Sequence, residues 1–408
     1  MNAKIFKQSL LTIAVLFTIS NAGFAQTVAD TAKPAHNVQS LKDNNFQLKL
    51  DDLYVNLKID LKDIEKSIAV TLNDITPQIT LDLKGLDNGF NWGQNDEIEG
   101  KNVKEKVKSY GKSYPLDAND RIKLSNQYGN ITVNTWDKHE VKVDVQIKAS
   151  AADDDEAQRL LDGVRIDDSK EGDLVSFKTH IESNNGSWKI WNWGSNKVHK
   201  LEINYTVYMP AKTDLNVEQS YGSIVLPDLD GKVHIRSSYG SVSAQKLTNP
   251  ANEIEGSYGS LKVGGMNGGH LSYSYGSVDM DECNNLTADL SYGSFKLGAL
   301  TGAADLDLSY VGGFRINEIA GSLKKLNINS SYSGVSLGIP GNNNFDFDIT
   351  VTYGGFNYND DKVNITGKTP PDDSKHYSPT KNYKGHFGRE GTGAVVNIRS
   401  TYGSVNFE

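Results

Sequence analysis

Three of the five tryptophans fall within six residues, in Trp188-Lys-Ile-Trp191-Asn-Trp193, set among Asn, Gly and Ser. Indole rings on a polar connection can stack on sugar rings or anchor a partner, and tryptophan is enriched at binding hot spots. The alternative is that they pack down over neighbouring strands. Trp188, Trp191 and Trp193 are therefore the candidate ligand contacts. A second set is acidic: Asp289 and Asp307, with Asp279, Asp281 and Asp305 nearby. Paired carboxylates can hold a cation or do acid–base work on a glycosidic bond. Basic partners are sparse around this set, and a solvated acidic face accounts for it. A third set lies in the polar stretch 359–393, which holds Asp360, Asp361, Asp372, Asp373, His376 and His386. Carboxylates and imidazoles ligate metals, yet this spacing matches no ligand motif. No catalytic residue, cofactor site or metal site is expected. Cys283, the lone cysteine, stands in a column otherwise filled by Leu and Met, so it is expected as a small buried hydrophobe.

The element that must position these residues is a repeat. Ser-Tyr-Gly-Ser occurs at 220–223, 238–241, 257–260, 274–277 and 291–294, and related forms follow. The tyrosines are Tyr221, Tyr239, Tyr258, Tyr275, Tyr292, Tyr310, Tyr332, Tyr353 and Tyr402, at spacings of 18, 19, 17, 17, 18, 22, 21 and 49. Apolar residues alternate before each one, as in Leu286, Ala288 and Leu290 before Tyr292. A second apolar pair follows at three and five positions, as in Val242/Ala244 and Phe295/Leu297. Period-2 patterning on both sides of a Tyr-Gly step predicts strand, corner, strand, with glycine supplying the positive φ of the corner. No single repeat can bury its apolar face, but stacked copies share one core. The expected fold is all-β: a β-solenoid over 215–408, with rungs of about 17–22 residues stacked in parallel. The tyrosines share the apolar phase and are expected as a structural ladder, inward or corner-lining. Three positions before each tyrosine runs an outward column: Glu218, Arg236, Glu255, Ser272, Asp289, Asp307 and Asn329. Its first three members alternate in sign and suit cross-rung ion pairs. The stretch 359–393 is expected as a loop leaving the solenoid, and the last coil as its cap.

A β-rich lead-in module is expected over 121–214, with a first Tyr-Gly copy around Tyr128, strands at 141–148, 174–181 and 201–209, and a helix at about 153–163. Residues 94–120, charged and bearing Lys and Gly, look like a linker. Residues 39–93 repeat every eleven positions, with Leu50/Leu53/Leu57 recurring as Leu61/Ile64/Ile68. Helical spacing is contradicted by Pro77, so short β units are preferred there. Residues 1–25 read as a signal peptide: Lys4 and Lys7, an apolar run at 10–19, and Ala22-Gly-Phe-Ala25 before Gln26. Residues 26–38 would then be a flexible mature N-terminus. Export places the protein in the periplasm, at the outer-membrane surface or outside the cell.

Composition narrows the function classes. The chain has 408 residues, 38 glycines and a net charge of −9. Its pI near 5.5 argues against a nucleic-acid binder, and no further apolar run suits a membrane span in the mature chain. Of the glycines, 27 lie after residue 215, which is where the corners recur.

Over about 121–408 the chain resembles the bacterial putative-adhesin family of β-strand-repeat domains of unknown function. The residues that carry the likeness are Leu124-Ser-Asn-Gln-Tyr-Gly-Asn-Ile-Thr-Val133, Tyr205-Thr-Val-Tyr-Met-Pro210 and Leu215-Asn-Val-Glu-Gln-Ser-Tyr-Gly-Ser-Ile224. The resemblance implies an envelope location and a binding or structural role, with envelope polysaccharide or an envelope protein as partner. A polysaccharide-cleaving β-helix enzyme and an envelope-stress or regulatory partner protein are the alternatives.

Overall fold

The computed structural model describes residues 103–182, 199–358, 361–371 and 377–408, together with the backbone of 46–50 and 53–57. The expected signal peptide, the segment 26–38, most of 39–93 and the Trp188–Trp193 loop lie outside the described residues. The chain divides into two units, Met1–Asp96 and Glu97–Glu408. In the first, β1 (Phe46–Leu50) and β2 (Leu53–Leu57) form an antiparallel hairpin in which Leu50 faces Leu53.

The second unit is all-β, with a single helix among the described residues. It opens on β3 (Lys104–Pro115), β4 (Arg121–Gln127), β5 (Ile131–Thr135) and β6 (Glu140–Ala151). Helix α1 (Asp154–Asp162) follows, then β7 (Val164–Glu171), β8 (Leu174–Ile181) and β9 (Lys200–Met209). The Asp153 side chain caps α1 by accepting from the Glu156 N–H at 2.7 Å. Ala157 and Leu161 bury its apolar side. Within the expected linker at 94–120, residues 104–115 form a strand. Lys104–Pro115 pairs antiparallel along the whole of β6, from Lys104 opposite Ala151 to Pro115 opposite Glu140. No residue of β3 is fully buried, so it leaves no apolar alternation to read.

The repeats supply β10 (Asp214–Ser220), β11 (Ile224–Leu226), β12 (Val233–Ser238), β13 (Ser241–Leu247), β14 (Asn252–Ser257), β15 (Ser260–Met266) and β16 (Gly269–Ser274). Next come β17 (Ser277–Val311), β18 (Phe314–Ile319), β19 (Lys325–Ser331), β20 (Val335–Leu337), β21 (Phe345–Thr352) and β22 (Phe356–Asn357). The chain ends with β23 (Val363–Thr369), β24 (Thr380–Phe387), β25 (Val395–Thr401) and β26 (Val405–Phe407). Strands β3 to β26 belong to one 24-stranded sheet. The strand before each tyrosine pairs in parallel with its counterpart in the next repeat: β4 with β10, β10 with β12, β12 with β14, β14 with β16. The strand after each tyrosine does the same: β5 with β11, β11 with β13, β13 with β15, β15 with β17. Both series turn alternate residues onto one apolar core, which runs without a break from Leu116 to Phe407. Cys283 is fully buried within it, level with Met266 of the neighbouring strand.

Two expectations fail at the C-terminal end. First, the last repeat is no cap. β25 lies between β19 and β21, and β26 between β20 and β22. Second, 359–393 is not simply a loop. Within it β24 pairs antiparallel along β21, and β23 pairs antiparallel along β24. This hairpin covers the edge of β21 that would otherwise offer unpaired N–H and C=O groups.

Candidate functional site

The corner residue is built in an unexpected way. Ten tyrosines, Tyr128 included, adopt φ between 54° and 63°, whereas the glycines that follow eight of them do not have positive φ. The sequence reading gave the positive φ to glycine, and the structure gives it to tyrosine. The glycine is required for a different reason: a Cβ on Gly240 would overlap the Gly222 carbonyl oxygen, and one on Gly259 the Gly240 oxygen. Backbones of successive corners thus touch directly. The tyrosine N–H groups bind across the corner, as in Tyr239 N to Ser257 O at 3.0 Å and Tyr258 N to Ser274 O at 3.1 Å.

Left-handed backbone costs an L-residue about 1–2 kcal/mol. Ring stacking offsets it. From Tyr128 the rings run through 221, 239, 258, 275, 292, 310, 332 and 402 to 353, with centroids 4.6–5.3 Å apart and planes within 2–11°. Each offset-stacked pair contributes about 0.5–1.5 kcal/mol beyond its area. Tyr402 stands between Tyr332 and Tyr353, so the stack departs from chain order. The rings line a corner and are not inward: Tyr353 is 56 % exposed and Tyr258 48 %.

Next to the corner is a polar outward face made of two columns. Five positions before the tyrosines, Asn216, His234, Glu253, His270 and Thr287 are direct cross-strand partners in turn. Three positions before, Glu218, Arg236, Glu255, Ser272 and Asp289 are partners in the same way. Arg236 bonds Glu255 through two nitrogens, each at 3.2 Å, and holds that carboxyl below its ordinary range. Glu218 pairs with Lys123 at 2.8 Å rather than with Arg236. Asp289 lies 3.6 Å from His270. Asp307 accepts from Asn329 at 2.8 Å, and Asp305 accepts from Asn327. Asn397 donates to Asn327 at 2.9 Å, while Asn382 and Lys384 reach Asp348 at 2.6 and 3.1 Å.

Two grooves open along this face. One, of about 490 Å³, includes Glu253, His270, Thr287 and Asp305. The other, of about 600 Å³, includes Asp305, Asn327, Asp348, Asn382, Lys384 and Arg399. Asp305 belongs to both, and the second offers carboxylate, amide, hydroxyl and cationic groups over five strands. The sequence reading missed this set because Asn327 and Asn397 are 70 positions apart and meet only through the insertion of β25 between β19 and β21. The signal available was the phase five before each tyrosine, which Asp305, Asn327, Asp348 and Asn397 all share. Asp279 and Asp281 lie on β17 after the Tyr275 corner, away from either groove lining. Of the acid and histidine set in 359–393, Asp361 and His386 are described, and they join no metal-ligating group among the described residues. Trp188, Trp191 and Trp193 connect β8 to β9 and fall outside the described residues.

The lead-in module carries a separate polar cluster. Tyr110 donates to Asp168 at 2.6 Å, and Tyr114 donates to its other carboxyl oxygen. That bond, followed by burial, pushes the Tyr114 hydroxyl up to about 12. Beneath it, Thr179 bridges Asn126 and Tyr205 at 2.7 and 2.8 Å inside the core. Asp120, nearly inaccessible, is paired with Lys170 at 2.7 Å. These groups are mutually satisfied and join strands.

No helix among the described residues is long and apolar enough to cross a membrane. No protein-family model matches the chain, and no curated protein matches it either. Solved structures of bacterial putative adhesins are similar to it. One is a putative cell adhesion protein from Clostridium sporogenes, with 11 % identity over 74 % of this chain and 99 % of that one, TM-score 0.19. A putative adhesin from Parabacteroides merdae has 10 % identity over 76 % and 97 %, TM-score 0.31. A putative adhesin from Bacteroides fragilis has 9 % identity over 74 % and 97 %, TM-score 0.25.

Proposed function

We propose that the chain is an exported β-solenoid of the cell envelope, a non-enzymatic adhesin-like binding or structural module that takes envelope polysaccharide or another envelope protein along its polar repeat face. The observation that carries this reading is the pair of grooves sharing Asp305, lined by side chains that the strand register repeats. Many shallow contacts of this kind act together, because a ligand held at one repeat meets the next at high effective concentration. The Trp188–Trp193 connection adds aromatic contact area. The leader-like residues 1–25 support export. The polysaccharide-cleaving alternative needs carboxylates able to move protons at one point. Asp305 and Asp307 are instead each tied to an asparagine amide on the next strand, which favours binding.

The test is an array of bacterial envelope polysaccharides probed with the full mature chain, with an Asn327→Ala/Asn397→Ala variant and with a triple Trp188/Trp191/Trp193→Ala variant. Circular dichroism melts confirm that each is folded. The groove variant is expected to lose at least about five-fold in binding, roughly two lost hydrogen bonds of modest strength. Identical profiles for wild type and both folded variants would discard the reading. Protease added to intact cells, followed by detection of the chain, tests surface display.

A further inference from the structure

The polar columns also bring together three residues of mixed ligand chemistry, of which Glu253 borders the first groove and the other two line neither. His234 on β12 and Glu253 on β14 are direct cross-strand partners. Glu255, two positions along β14, returns to the same face. The His234 Nε2 atom lies 3.4 Å from a Glu255 carboxylate oxygen and 4.0 Å from a Glu253 oxygen. One donor atom from each of the three residues lies within 4.8 Å of the other two, and all three residues are half-buried. We propose that His234, Glu253 and Glu255 form a binding site for a divalent transition-metal ion of the zinc class.

The chemistry fits this class. Imidazole nitrogen with two carboxylates is a mixed set that zinc accepts, with three protein ligands and an open fourth position for water. Bonds of about 2.0–2.1 Å in a tetrahedron place donor atoms about 3.3–3.5 Å apart. The His234–Glu255 pair already stands at 3.4 Å, and the Glu253 carboxylate closes the rest by a rotamer adjustment. Glu253 and Glu255 have side chains 36 % and 38 % exposed, with room for that movement, whereas His234, at 18 %, is the fixed member. The strand register fixes the backbone beneath all three. His270, the cross-strand partner of Glu253 on β16, is placed to supply the fourth ligand if its ring leaves Asp289, 3.6 Å away.

Two cations compete with the ion. Arg236 grips Glu255, and Lys232 stands 4.0 Å from Glu253. Arg236 is 52 % exposed and can swing into solvent, so occupation exchanges one Arg–Glu pair for metal–oxygen bonds. The proposal therefore makes a directional demand: removing Arg236 strengthens metal binding, whereas removing His234 weakens it. A site made only of surface acids would respond to Arg236 but not to His234.

The experiment is titration of the full mature chain with zinc chloride in a non-phosphate buffer, read by competition with a chromophoric chelator. Variants are His234→Ala, Glu253→Gln, Arg236→Ala and His139→Ala, the last a distant histidine. Wild type is expected to bind one ion. His234→Ala and Glu253→Gln should weaken it about ten-fold or more, since loss of an outer-shell partner alone costs about 10–100-fold. Arg236→Ala should tighten it several-fold, and His139→Ala should leave it unchanged. Melting curves without metal check folding, and a zinc-induced rise in melting temperature in wild type but not in His234→Ala is a second readout. Equal affinity of wild type and folded His234→Ala, or loss confined to His139→Ala, would overturn the site. This outcome is independent of the polysaccharide test, whose variants leave these residues intact.

Discussion

At the residue scale, the informative position is the corner tyrosine. Its backbone asks for glycine and its side chain asks for an aromatic, so the two demands can be separated by substitution. Tyr258, with φ 56°, stacks on both Tyr239 and Tyr275. Replacement by Ala loses both stacks and keeps the left-handed cost, an expected loss of about 1–3 kcal/mol. Replacement by Gly also loses the stacks but recovers about 1 kcal/mol of backbone strain. Urea denaturation should therefore rank Gly above Ala at this site, and the reverse order would show that the positive φ carries no cost. The neighbouring glycine behaves oppositely: Gly259→Ala drives a Cβ into the Gly240 carbonyl, with an expected loss of about 3 kcal/mol or more, read as a fall in urea midpoint. Asp120 gives a pH signature. The Lys170 bond, with the Asp117 N–H, lowers its pKa against a smaller opposing effect of burial. A carboxyl lowered on folding stabilises the native state above its unfolded pKa of about 3.9, and that contribution is lost as pH falls through the folded value. Asp120→Asn should thus be less stable than wild type at pH 7, with the gap narrowing steadily below pH 4. A gap that stays constant from pH 7 to pH 3 would remove Asp120 from the acid limb.

At the element scale, β25 is the strand to test. A terminal repeat that merely capped the stack could be removed at the loss of one layer. Here Val395–Thr401 separates β19 from β21, and Tyr402 bridges Tyr332 and Tyr353. Truncation after Gly393 should expose the β19 edge and detach the β21–β24 hairpin together. Hydrogen exchange would then show 345–387 losing protection while 214–290 keeps it. Retained protection in 345–387 would mean that this hairpin stands without β25. The example also marks how far the sequence could be read. The strand pairs on either side of each tyrosine, the helix at 154–162 and the three lead-in strands were legible, because alternate burial imposes period 2 and Ala157, Leu160 and Leu161 recur at helical spacing among acids. The order of the last three coils was not, since Ile328, Ile349 and Ile398 carry the same phase and nothing local says which neighbours which. β3 was illegible for the opposite reason: it buries no side chain fully, so pairing without apolar alternation looks like a linker.

At the scale of the whole Glu97–Glu408 unit, successive repeats are joined by strand pairing, and the one cysteine, Cys283, is free. In the proposed solenoid each layer is held by its two neighbours, as in a one-dimensional array. With β21 covered by β24 on one side, and β4 and β5 covered by β8 and β9 in parallel on the other, the interior layers are expected to be the hardest to open. Cys283 reports on that interior. Its side chain is fully buried among the Leu and Met of its column, and burial, reinforced by the charge of Glu282, pushes the thiol up to about 12. Thiolate is the reactive form, so an aromatic disulfide reagent should find the native thiol inert at pH 8. Reaction should begin only when the middle layers separate. Pulse labelling across a urea series tests this directly: the labelling midpoint should coincide with the loss of β signal in circular dichroism if the unit opens as one body. Labelling that saturates well below that midpoint would mean the stack opens near Cys283 while its ends persist. That outcome would overturn this ranking of the layers, because it would make the interior of the stack weaker than its covered ends.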